Sequence, residues 1–122
     1  MRQGRAARRG LALASAQGIV ERYAIGICGQ AWDVDAGVAE LTAAAGGDLD
    51  VLAEVAAILT VHYVDRHWLP RAVELLAAAG VTREATDRHA ETIRERRAYR
   101  AGGFTLAAFA DRMNATHPPR SR

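Results

Sequence analysis

Apolar residues recur along most of this chain at intervals of three and four. Val20, Ala24, Ile27, Cys28 and Ala31 fall on one helical face. Residues 46–67 read as a helix that is apolar nearly all the way round, as a helix packed on every side is. No stretch alternates with a period of two, so no strand is expected. Cap and stop residues divide the pattern. A first helix is predicted over 11–31, weakened by Gly18, Gly26 and Gly29. A second follows in "DVDAGVAELTAAAGG", capped by Asp33 or Asp35 and ended by Gly46-Gly47. Asp48 caps a third that runs to about residue 67, with Asp50 in its first turn, where the helix dipole favours negative charge. Pro70 fits the first turn of a fourth helix over 69–79, stopped by Gly80. Thr82 caps a fifth, very polar helix over 83–100, with an inward stripe of Ala85, His89, Ile93 and Arg96 or Tyr99. After Gly102-Gly103, a short last helix is predicted over 105–114, with Phe104 and Phe109 at the positions of a hydrophobic staple.

The expected fold is therefore all-α: a single-domain bundle of five or six helices with a central helical hairpin made by the second and third. The helical domain would cover residues 11–114. A basic arm at 1–10 and a tail at 115–122 are expected to be disordered. A chain of 122 residues holds one core without staples.

Every basic residue other than histidine is arginine, which removes lysine nucleophiles and Schiff bases from consideration. The net charge is only +2, but Arg2, Arg5, Arg8 and Arg9 crowd one end, and Arg120 and Arg122 close the other. Such arms are either solvated tails or an attraction for nucleic acid. The lone Cys28 excludes an intramolecular disulfide and is expected to be a buried small hydrophobe. The apolar run at 11–16 is shorter than a secretory signal core, and no run approaches the roughly 20 residues of a membrane span. A cytoplasmic protein with no membrane partner is expected.

The apolar third helix carries the polar groups Glu54, His62 and Asp65. Glu54 and Asp65 share a face but lie about 16 Å apart along the axis, too far for one ion. His62 and His67 point to different faces, so the i,i+4 zinc arrangement is missing. Glu40 and Glu54 stand equal distances before and after Gly47. In a hairpin they would sit at one height and face each other or a shared third helix, as paired carboxylates that hold Mg²⁺ do.

The stretch "AGVAELTAAAGGDLDVLAEVAAILTVHY" resembles the helical hairpin of the all-α nucleoside triphosphate pyrophosphatases, the MazG-like and phosphoribosyl-ATP pyrophosphohydrolase group. There a Glu-x-x-Glu helix, a short turn and a Glu-x-x-Asp helix present four carboxylates to Mg²⁺. "GVTREATDRHAETIRERRAYRAGGF" resembles the closing basic helix of that family. The likeness covers about residues 36–104. It implies Glu40 and Glu54 as metal ligands and a Mg²⁺ cofactor. It also implies Arg94, Arg97 and Arg100 as phosphate contacts, a nucleotide as ligand and assembly into a homo-oligomer. Gly37 and Ala57 stand where the family carries its other glutamate and its aspartate. Two functions follow as expectations. One is a nucleotide pyrophosphohydrolase, active or degenerate, using metal-activated water. The other is a non-catalytic helical module that engages a protein or nucleic acid through its arginine-rich arms and fifth helix.

Overall fold

The computed structural model describes residues 2–101. Five α-helices make up the described chain: α1 (Arg2–Ile25), α2 (Val34–Ala44), α3 (Leu49–His62), α4 (Leu69–Ala78) and α5 (Arg83–Ala101). A short 3₁₀ turn (Ile27–Gly29) follows α1, and no strand occurs among the described residues. The all-α bundle is thus the fold. The predicted last helix at 105–114 and the tail at 115–122 lie outside the described residues.

The expected disordered arm is instead the first turns of α1, which starts at Arg2. Alanine and arginine are good helix formers, and Arg9 is anchored to carboxylates of α3. That anchor is a reason for these turns to dock instead of fraying. At its other end α1 stops earlier than predicted. Gly26 takes a left-handed conformation (φ 83°) and turns the chain away from the core. Ile27 and Cys28 are consequently exposed, so Cys28 is not the buried hydrophobe its neighbours suggested.

The predicted caps hold. The Asp33 side chain accepts from the Ala36 N–H, that of Asp48 from the Asp50 N–H, and the Thr82 hydroxyl from the Ala85 N–H. Gly46 and Gly47 adopt positive φ. The Gly47 N–H reaches the Thr42 carbonyl and the Gly46 N–H that of Ala43, the paired bonds of a Schellman stop. Helix α3 ends at His62, not at His67, because Tyr63 leaves the helical region (φ −123°, ψ 30°). Trp68 then buries itself before α4, its ring centroid 5.7 Å from that of Tyr63.

The main core joins Val20, Tyr23 and Ala24 of α1 to Leu41 of α2, Leu52, Val55 and Leu59 of α3, and Leu75 and Leu76 of α4. A second, smaller cluster joins Ala57 and Val61 of α3 to Ala90 of α5, with Ile93 at its edge. Helix α2 rests on α1 and α4, while α3 packs most extensively on α5. The sequence reading expected α2 and α3 to form the central packed pair. The tight turn between them does not enforce this, since α2 offers Gly37 to α4 and lets Leu75 come close. No described helix is long and apolar enough to cross a membrane.

Candidate functional site

Glu40 projects from α2 to the C-terminal end of α1. One carboxylate oxygen accepts from Arg22 and the other from the Tyr23 hydroxyl. Arg22 is itself held by Gln30, its Nε donating to Oε1 at 3.0 Å, and its guanidinium lies 5.1 Å from the Tyr23 ring centre. The Arg22 hydrogen bond, seconded by Tyr23, holds the Glu40 carboxyl below its ordinary range. The same carboxylate pushes the Tyr23 hydroxyl up. This cluster ties the chain around the 3₁₀ turn to α2.

Glu54 belongs to a different cluster. Arg9 Nη2 donates to its Oε1 at 2.7 Å and to Asp50 Oδ2 at 3.0 Å, and Asp48 lies 4.0 Å from the same guanidinium. From α5, His89 Nε2 stands 2.8 Å from Asp50 Oδ1, and its Nδ1 stands 3.9 Å from Glu54. Asp50 is held below the usual carboxylate range, first by the His89 hydrogen bond and then by Arg9. Three carboxylates from the start of α3 are thus answered by α1 and α5 together. Asp48 and Asp50 are explained by capping in the sequence, and they do serve the helix start. Their second role depends on a residue some forty positions earlier (41 from Asp50 to Arg9), and no local spacing announces that.

Glu40 and Glu54 are therefore not brought together. From Arg9 to Arg22 the axis of α1 rises about 20 Å, and each glutamate is bound to one of those two arginines. The positions of the two absent family carboxylates are packed interior. Ala57 is fully buried against Ala90 and Val61. Gly37 is buried on α2, and a Cβ there would lie 2.7 Å from Leu75 Cδ1. The donor set does not fit a single shared Mg²⁺, because the carboxylates present already carry cationic partners and the other two positions face apolar atoms. Among the described residues no three Asp, Glu, His or Cys side chains gather as metal ligands.

The three predicted phosphate contacts divide between two grooves along α5. Arg97 and Arg100, with Arg96, line a groove of about 340 Å³ between α3 and α5, closed on the α3 side by Glu54, Ile58 and His62. A second groove of about 530 Å³ adjoins it through Glu54, Ile93 and Arg96, and reaches Arg9 and His89. Arg94 does not line either of these grooves. It lines a groove of about 430 Å³ with Ala56, Val73, Leu76 and Ala90 on its apolar side and Thr86 and Asp87 on its polar side. Arg96, Arg97 and Arg100 form no ion pair among the described residues, whereas Arg9 and Arg22 are committed to carboxylates. Glu54, the acidic residue of the 340 Å³ groove, is neutralised by Arg9, so three uncompensated positive charges face it. Comparison with protein families, with curated proteins and with solved structures finds no match for this chain.

Proposed function

We propose that this chain is a helical binding module for a compact phosphate-bearing anion, a nucleoside polyphosphate in chemical class, held in the α3–α5 groove. The observation that carries the reading is the set of Arg96, Arg97 and Arg100 on one groove with no carboxylate partner among the described residues. A guanidinium offers a rigid fork of donors that matches phosphate oxygens in pairs, and such charge-assisted bonds are roughly twice as strong as neutral ones. Arg96 and Arg97 are neighbours and Arg100 lies one turn further on, so together they can grip more than one phosphate of a chain. His62 at the end of α3 offers a further donor from the opposite wall. A groove of this size suits a small ligand, which would lie partly exposed.

Catalysis is not part of the proposal. Metal-dependent hydrolysis would need Glu40 and Glu54 to leave their arginines and meet, and α1 separates them. The test is equilibrium binding of ATP to the full chain by calorimetry, at low and high salt, with and without Mg²⁺, alongside pyrophosphate-release measurements. Binding should weaken steeply with salt, as charge pairing at an open groove does. It should not require Mg²⁺ and should weaken at least about tenfold in Arg97→Gln/Arg100→Gln, corresponding to roughly 1.4 kcal/mol. Binding unchanged in that variant would sink the assignment of the groove. Mg²⁺-dependent release of pyrophosphate and the nucleoside monophosphate, abolished by Glu54→Gln, would restore the hydrolase reading.

A further inference from the structure

The groove lined by Arg94 differs in chemistry from the one lined by Arg96, Arg97 and Arg100. Helix α5 gives it Arg83, Asp87, Ala90 and Arg94, spaced so that they share one helical face. Opposite them stand Ala56 and Thr60 of α3 and Val73, Leu76 and Ala77 of α4. Ala56, Leu76 and Ala90 are buried and make an apolar floor, while Val73 is 41% exposed at the rim. The volume, about 430 Å³, is that of a small-molecule site, and such sites join apolar walls to a few placed polar groups.

The polar half of the lining decides what the groove accepts. Thr60 donates its hydroxyl to the Ala57 carbonyl, and Thr86 donates its own to that of Thr82. Both protons are thus spent on backbone. Arg83 and Asp87 face each other at 3.9 Å, so their charges cancel. Arg94 forms no ion pair among the described residues. The lining therefore carries one net positive charge, at the end of its α5 wall and beside the apolar floor. One free guanidinium matches a single anionic head. A polyphosphate would set several negative charges near Asp87 and leave the floor unused. From Asp87 to Arg94 the α5 axis rises about 10 Å, the reach of a short alkyl chain.

We infer that this groove binds a small amphipathic carboxylate, a medium-chain fatty acid in chemical class. The tail lies over Ala56, Val73, Leu76 and Ala90, and the carboxylate meets Arg94. Burial of the tail supplies most of the affinity, and the guanidinium selects the head. The site shares no lining residue with the α3–α5 groove proposed for phosphate and does not depend on that proposal. It also gives Arg94 a role apart from Arg97 and Arg100.

The test is calorimetric titration of the full chain with octanoate, with octanol and hexanoate as comparisons. Octanoate should bind at least about tenfold tighter than octanol, the margin of a charge-assisted pair. Hexanoate should bind about fivefold or more weakly than octanoate, having lost two methylenes from the apolar wall. Arg94 is exposed, so Arg94→Gln leaves the core intact. In that variant octanoate should fall to the level of octanol, while octanol binding stays unchanged. Failure of octanoate to bind, or equal octanoate binding in Arg94→Gln, overturns the inference. Nuclear Overhauser contacts then locate the tail, and they should run from the octanoate methylenes to the Val73 methyls. Contacts to Ile58 instead, or displacement of octanoate by ATP, would place the ligand in the α3–α5 groove and overturn the site.

Discussion

Gly37→Ala is a sharp test of how α2 is seated. In most helix interiors this change stabilises by about 0.5–1 kcal/mol, because alanine loses less backbone entropy than glycine. Here the new Cβ would lie 2.7 Å from Leu75 Cδ1 and 3.1 Å from Cδ2. Leu75 is fully buried, so its methyls cannot swing into solvent. Overpacking of that kind costs about 1–3 kcal/mol. The clash wins, for a net loss of about 1–2 kcal/mol, or about 4–8 °C in thermal midpoint for a chain of this size. Leu75→Ala alone should cost about 2–5 kcal/mol through the cavity it leaves. In that background the space is open, and adding Gly37→Ala should now stabilise by about 0.5–1 kcal/mol. The assay is a double-mutant cycle by urea and thermal unfolding, and the diagnostic is the reversal of sign. If Gly37→Ala stabilises the wild-type chain, or costs the same in both backgrounds, then α2 does not press on α4 at this glycine.

Two further outcomes are expected. Arg9→Gln should lower stability by about 1 kcal/mol, since the bridge to Asp50 and Glu54 is half-exposed and partly screened. The loss should shrink in 1 M salt in denaturant titrations, and a salt-independent loss would point to packing of the Arg9 stem. Glu40 and Asp50 both titrate below their ordinary values in the folded state, so the unfolded chain binds more protons as the pH falls. Their stabilisation is present above the unfolded values, near pH 4, and is lost as the pH drops through the folded ones. Glu40→Gln/Asp50→Asn should flatten that acid limb, and an unchanged limb would refute these carboxylates as its source.

Helix starts and stops were legible in the sequence because they rest on local chemistry. Asp33, Asp48 and Thr82 cap, and Gly46, Gly47 and Gly80 reverse the chain, through atoms only a few residues apart. What the sequence misplaced depends on distant partners. Nothing near Arg9 announces Glu54, so the first turns of α1 read as a loose arm. Equal spacing about Gly47 suggested that Glu40 and Glu54 face each other or a shared third helix; both meet α1, but at positions far apart along it. Arg97, Arg100 and Glu54 were singled out from the sequence and line one groove, whereas Arg94, named with them, lines another. His89 was assigned to the inward stripe of α5, but its link to Asp50 was not foreseen. Ala90, buried against α3, was missed because one alanine in a polar helix carries no periodic signal.

The small cluster of Ala57, Val61 and Ala90 has a consequence for how the molecule opens. Among the described residues, α5 contributes one fully buried apolar side chain, and α3 shares the large core with α1, α2 and α4. A long polar helix held by so little buried surface belongs to the low end of local stability. Its amides should exchange with solvent in a sub-global opening, well before those of α3. Any anion gripped by Arg96, Arg97 and Arg100 meets its partner groups on α3 only while α5 is docked. Such a ligand would draw the opening equilibrium shut in proportion to its concentration over its dissociation constant. Occupancy of the groove would then be recorded as slowed hydrogen exchange along the whole of α5, far beyond the residues the ligand touches.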